Sequence, residues 1–213
     1  MKEARVRFRC GKLSLEGILA IPEGSGPFPT AIICHPHPLY GGSMDNNVVY
    51  SVSEAFTRAS LISFKFNFRG VGGSQGEFSQ GEGEQEDVDA AISFITTVKE
   101  VDSKRIGLVG YSTGAAFGLP VGFKDARIKT LAAISPPLPM FDFEFLKNCL
   151  KSKFLICGSG DEFTPANQFL KFCQALPEPK EYAIVEGADH FWWGCESGLV
   201  TKITDFFTRV LKY

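Results

Sequence analysis

The pentapeptide Gly110-Tyr111-Ser112-Thr113-Gly114 sets a serine between two glycines, each two residues away. A serine hydroxyl becomes a useful nucleophile only when a base takes its proton. The motif therefore carries chemistry only where a strand delivers the serine into a sharp turn and a helix starts at once. RIGLV precedes Ser112 and STGAAFGL follows, with small residues where helix and strand must approach closely. The pattern alone decides nothing, because Gly72-Gly73-Ser74-Gln75-Gly76 obeys it too. Ser74, however, lies in a long polar loop in which no helix begins for several residues. Ser112 is the candidate nucleophile.

The chain has three histidines, and only His190 follows the serine, after the apolar run EYAIV and the turn EGAD. It is the candidate general base, able to take the serine proton and return it to a leaving group. A carboxylate that holds the imidazole in the right tautomer should come from another strand end, and KFLICGSGDEFTP places Asp161 there. Glu162 shares that loop, while Asp189 adjoins His190 and is poorly aimed for the task. The developing oxyanion needs backbone N–H donors: that of Thr113, and one from the loop His35-Pro36-His37-Pro38-Leu39-Tyr40-Gly41-Gly42. Pro36 and Pro38 have no N–H, which leaves His37 and Leu39. A metal site on His35 and His37 finds no third ligand at a recognised spacing. The dinucleotide and Walker patterns are both missing. Neither a metal nor an organic cofactor is expected.

These residues need a scaffold that brings distant loops to one edge. Near the N-terminus Val6, Phe8 and Cys10 alternate with Arg5, Arg7 and Arg9, and Gly11-Lys12 predicts a hairpin into LSLEGILAI. From Thr30 onward short apolar strands alternate with helical stretches: TAIIC, a helix from about 46 to 60, LISFKFN, and a helix presenting Val88, Ala91, Ile92, Ile95 and Val98. RIGLV, RIKTLAAI, KFLIC and EYAIV follow, and a last helix buries Leu199, Ile203, Phe206, Phe207 and Val210. Such alternation predicts an α/β fold: a mostly parallel twisted sheet of about eight strands, with an N-terminal antiparallel hairpin and helices on both faces. Ligands then sit beyond the carboxyl ends of the strands. At 213 residues, with 44% hydrophobic residues and no repeat or long linker, residues 1–213 are expected to form one domain.

A net charge of -2, from 22 basic and 24 acidic residues, provides no field to gather nucleic acid or an anionic membrane. MKEARVRFRC lacks the apolar stretch of a secretory signal, and no window approaches a membrane span. Six scattered cysteines without C-x-x-C spacing fit reduced, buried thiols, so a cytoplasmic location is expected.

Taken together, the order Ser112, Asp161, His190, the segment FNFRGVGGSQG and the loop CHPHPLYGG resemble the α/β-hydrolase superfamily over nearly the whole chain. The likeness is to its small cap-less members, similar to dienelactone hydrolases and microbial esterases. The resemblance implies that His37 supplies the second oxyanion donor, with Pro36 where glycine is usual. It also implies a structural role for Ser74 and its glycines. Dienelactone hydrolases carry a cysteine nucleophile where this chain has Ser112, so that activity is not implied. The expected function is hydrolysis of small carboxylic esters through an acyl-enzyme. Acyl transfer, thioester or peptide cleavage by the same residues, or a non-catalytic binding role on the same fold, are the alternatives. Only residues 135–152 separate two of the strands, too few for a helical cap. Met140, Phe141, Phe143 and Phe145 could form a short flap and, with Tyr111, Phe191, Trp192 and Trp193, line an acyl pocket.

Overall fold

The computed structural model describes residues 2–212. The alternating N-terminal segments form β1 (Lys2–Cys10) and β2 (Leu13–Ile21), antiparallel and paired along their full length from Lys2↔Ile21 to Cys10↔Leu13. Phe8 and Cys10 face the core while Arg5, Arg7 and Arg9 stay exposed, so the outermost strand carries charge along its free face.

The parallel strands are β3 (Phe28–Cys34), β4 (Ile62–Phe66), β5 (Val101–Tyr111), β6 (Ile128–Ile134), β7 (Ser152–Gly158) and β8 (Lys180–Val185). Spatial order is β1-β2-β4-β3-β5-β6-β7-β8, with β2 antiparallel to β4 and every later pairing parallel. Among the described residues five α-helices accompany them, four between strands and one after the last: α1 (Asn47–Arg58), α2 (Glu82–Ile95), α3 (Thr113–Lys124), α4 (Ala166–Ala175) and α5 (Glu196–Lys212).

Successive strand residues point to opposite faces, so each central strand feeds two cores. Ile32, Cys34 and Leu108 pack beneath α2, α3 and α4, whereas Ala31, Ile33 and Val109 pack beneath α1 and α5. This two-sided burial is why the central strands read as continuous apolar runs rather than alternating ones.

Three expectations shift. β5 begins four residues before RIGLV, because Asp102-Ser103-Lys104-Arg105 sits at the rim of the sheet, where no apolar alternation marks a strand. α2 ends at Ile95, so Val98 packs against the core from the following turn. The segment between β6 and β7 is not a flap of aromatic residues. Phe143, Leu146 and Cys149 are buried in the α2–α3–α4 core, and a 3-10 turn at Glu144–Asn148 fixes that docking.

Candidate active site

The end of β5 explains the local fold around Ser112. The chain leaves the strand at Tyr111 and enters α3 at Thr113, which forces Ser112 to φ 54 and ψ -125, a left-handed conformation disfavoured for any residue but glycine. A Cβ at Gly110 would fall 2.3 Å from the Cα of Ala115, and one at Gly114 would fall 2.4 Å from the carbonyl oxygens of Cys34 and His35. Both glycines are thus dictated by the approach of helix to strand. The turn holds the serine side chain clear of the helix and aims it at the loop after β8.

That loop carries His190. Ser112 Oγ lies 3.0 Å from His190 Nε2, and His190 Nδ1 lies 2.9 and 3.0 Å from the two oxygens of Asp161. Asp161 Oδ1 also accepts the N–H groups of Phe163 and Thr164, at 3.0 and 2.8 Å. Burial alone would raise the Asp161 carboxyl. The hydrogen bond and charge of His190 and the N–H of Thr164 outweigh it, holding the group below the usual carboxylate range. An ionised Asp161 accepts from His190 Nδ1–H, which leaves Nε2 with a lone pair facing the serine. Tyr111, inside the serine motif itself, donates its hydroxyl to the carbonyl of His190 at 2.8 Å and so ties the two loops together.

The other candidates separate cleanly. Glu162 is exposed. Asp189 Oδ1 accepts the N–H groups of Phe191 and Trp192, shaping the turn that presents His190. Ser74 is buried in the loop after β4, its hydroxyl donating to the carbonyl of Asn67 at 2.7 Å and accepting the N–H of Glu16 at 3.0 Å. His35 is fully buried, bonded to the carbonyl of Pro36 and to the N–H of Phe68. Among the described residues no group of three or more His, Cys, Asp or Glu side chains could hold a metal ion. All six cysteines are free, five of them buried.

Thr113 opens α3, where its N–H has no helical carbonyl to reach. In the facing loop the N–H of Leu39 is already given to His37 Nδ1 at 3.2 Å, which leaves His37 of the two donors read from the sequence. The carbonyl of His37 accepts from Tyr40 and Gly42 and closes this loop beside the serine.

A cavity of about 600 Å³ opens over Ser112 and His190, with Thr113, His37, Tyr111, Met140 and Phe191 in its wall. Of the residues expected there, Phe141, Phe143, Phe145, Trp192 and Trp193 are not in this wall. Trp192 is fully buried in the core under α1 and α5, and Phe141 packs edge-on against Phe117 on the other side of the sheet. Sequence reasoning missed Phe163, whose ring lies 4.6 Å from the His190 ring, and Asn46, which caps α1 through the N–H of Val48. Phe163 follows Asp161 by two residues, and that spacing was the available signal. No Asp, Glu, Lys or Arg stands among the lining residues.

Sheet order, elbow and the Ser112–His190–Asp161 chain of bonds define an α/β-hydrolase of the serine hydrolase class. Within it the chain belongs to the family described as X-Pro dipeptidyl-peptidase (S15 family), whose profile matches residues 14–155. That match includes Ser112 but stops before Asp161 and His190. An uncharacterized protein of Rickettsia prowazekii is 34% identical over 77% of this chain and 72% of its own length. An α/β serine hydrolase homologue from Coxiella burnetii superposes with a TM-score of 0.87 at 32% identity, over 96% of this chain and 97% of that one. A serine hydrolase without a lid from Xanthomonas campestris gives 0.88 at 27% identity, over 100% and 97%. The chain spans 64% of the length of two mycobacterial relatives. Among the described residues no helix is long and apolar enough to cross a membrane.

Proposed function

We propose that the protein hydrolyses small neutral carboxylic esters through an acyl-enzyme on Ser112, with His190 as general base and Asp161 as its orienting carboxylate. The observation that carries this reading is the unbroken chain of bonds from Ser112 Oγ to Asp161, opening into a cavity without charged side chains. Ser112 Oγ attacks the ester carbonyl as its proton passes to His190 Nε2. The imidazolium is balanced by Asp161, and the oxyanion is met by the N–H groups of Thr113 and His37. Collapse breaks the bond to the alcohol oxygen, which leaves with the proton from His190. Water then loses a proton to His190 and attacks the acyl carbon; the serine departs reprotonated and the acid is released.

An enzyme that takes dipeptides from a free amino terminus has to hold an ammonium group, which calls for a carboxylate in the pocket wall. No such residue lines this cavity, so esters are favoured here over the substrates named in the family description. Turnover of activated esters, the matching thioesters and X-Pro anilides tests the choice. Esters should turn over fastest, with a burst equal to the enzyme concentration. A fluorophosphonate probe should label Ser112 and spare Ser74. Labelling at Ser74, or full ester turnover by Ser112→Ala, would overturn the assignment, and preference for the anilide would overturn the substrate class.

A further inference from the structure

His35 is a fully buried titratable side chain that takes no part in the proton transfers at Ser112, yet both of its ring nitrogens are engaged. Nε2 accepts the N–H of Phe68, in the loop after β4, at 3.1 Å, and Nδ1 lies 2.7 Å from the carbonyl of Pro36. An amide N–H can only donate and a carbonyl can only accept, so Phe68 sets the tautomer and the Nδ1 proton goes to Pro36. That second bond joins the ring to the next carbonyl along the chain and ties no distant elements together. Its consequence is local: it fixes the plane of the Pro36–His37 peptide.

Other contacts close on the same peptide. Gly42 donates its N–H to the His37 carbonyl at 3.0 Å, and Tyr40 does so at 3.1 Å. A Cβ at Gly42 would fall 2.1 Å from the Pro36 oxygen and 2.5 Å from its carbonyl carbon, so the end of the loop lies directly against this peptide. His35 is also seated on the helix of the nucleophile, since a Cβ at Gly114 would fall 2.4 Å from the His35 carbonyl oxygen. The Pro36–His37 bond is trans, and in a trans peptide C=O and N–H lie in one plane and point opposite ways. The Pro36 carbonyl is drawn inward to a buried ring. The His37 N–H is thereby sent outward, to the cavity whose wall Pro36 and His37 share with Ser112 and Thr113.

We propose that His35 is a positioning residue for the oxyanion site: its Nδ1–H holds the Pro36 carbonyl so that the N–H of His37 is aimed, in register with that of Thr113, at the oxygen of the tetrahedral intermediate. The proposal rests on the reading of His37 as an oxyanion donor. A proline fixes its own φ but not its ψ, and a peptide plane turns through the ψ before it and the φ after it. The prolines of this loop therefore stiffen it without aiming the N–H; the imidazole does that. An oxyanion donor works only within about 2.7 to 3.1 Å of the developing charge, so a turned plane forfeits it.

Two substitutions separate this role from a merely structural one. His35→Asn keeps an N–H near the place of Nδ1 for the Pro36 carbonyl but loses the acceptor for Phe68. His35→Gln keeps an acceptor near the place of Nε2 but loses the donor to Pro36. Each gives up one hydrogen bond of a buried ring, so both should melt below wild type. Their kinetics should diverge: in His35→Gln kcat and the phosphonate labelling rate should fall about tenfold to hundredfold with KM within about twofold, while His35→Asn should stay within about threefold of wild type. Gly42→Ala presses on the same peptide from the loop and should lower kcat as His35→Gln does, which supplies the test should a His35 variant fail to fold. His37→Pro, at a residue whose φ is already -56, deletes the N–H itself and should cost about 100-fold to 1,000-fold in kcat relative to His37→Ala. Equal kinetic losses in the two His35 variants, or a folded His35→Gln or Gly42→Ala at the wild-type kcat, would overturn the proposal. His37→Pro as active as His37→Ala would instead refute His37 as the donor. A crystal structure of His35→Gln reads the plane without turnover: a turned Pro36–His37 peptide supports the positioning role and an unturned one overturns it, whether or not the wild type cleaves esters.

Discussion

Acid should weaken this fold through His35, and the size of the effect follows from where that ring sits. His35 is fully buried at the end of β3, with Nδ1 2.7 Å from the carbonyl of Pro36 and Nε2 3.1 Å from the N–H of Phe68. A carbonyl can only accept and an amide N–H can only donate, so the ring is neutral with its proton on Nδ1. Protonation would set Nε2–H against the N–H of Phe68. Burial accordingly pushes the imidazole down from 6.5 to about 4, with the Pro36 carbonyl opposing in part. Between those values the unfolded chain binds the proton and the folded one does not, so stability is complete above about 6.5 and is lost as pH falls toward about 4. At about 1.36 kcal/mol per pH unit the whole loss is about 3 kcal/mol, of which about 2 kcal/mol is gone by pH 5. Urea unfolding of wild type and His35→Gln at pH 7 and pH 5 measures it. Glutamine does not titrate, and other groups cancel in the comparison. The stability gap between the two proteins should narrow by about 2 kcal/mol from pH 7 to pH 5. A gap that stays constant would refute the argument.

Other outcomes follow from single contacts. Tyr111→Phe removes the bond to the His190 carbonyl and should lower kcat about tenfold with KM nearly unchanged, a split that steady-state kinetics on one ester reads directly. Ser74→Ala should leave turnover intact but cost about 1 to 3 kcal/mol in urea unfolding, since the N–H of Glu16 and the carbonyl of Asn67 lose their partner. Arg69→Ala should cost about 3 to 5 kcal/mol, because it strands the fully buried Asp87 carboxylate that Arg69 meets at 2.8 Å; a thermal melt would register the loss. Phe163→Ala should raise KM severalfold for esters with bulky aromatic acyl groups and leave acetate esters unchanged, because Phe163 borders the cavity beside His190.

Much of the fold was legible because burial leaves a period in the sequence. The hairpin follows from the alternation of Val6, Phe8 and Cys10 with three arginines, and the central strands follow from runs such as TAIIC that must satisfy a core on each side. Ser112 was separable from Ser74 for a related reason. An elbow needs small residues on the helix that follows, and Gly114 cannot be replaced against the carbonyls of Cys34 and His35. The rim of β5 was illegible because Ser103 and Lys104 are exposed and carry no apolar signal of their own.

The pocket wall resisted reading for a different reason, and the same reason hides Ser135, which is fully buried just after β6. Aromatic residues near a catalytic histidine serve core and cavity equally well, and composition does not say which. Phe191 and Trp192 are neighbours, yet the first stands half-exposed over the cavity and the second is wholly buried, because Asp189 Oδ1 takes both of their N–H groups and Trp192 turns left-handed. A one-residue change of backbone sign exchanges solvent for core, and hydropathy is blind to it. Ser135 is less visible still, a small polar residue before two prolines at a strand end, the usual composition of a loop. What distinguishes it is the indole N–H of Trp192, which its hydroxyl accepts from 57 positions away in the chain. The catalytic order could be read along the sequence because each member needs its own chemistry. A contact such as that of the Tyr111 hydroxyl with the His190 carbonyl needs only one polar group at one point in space, and no spacing rule encodes that point.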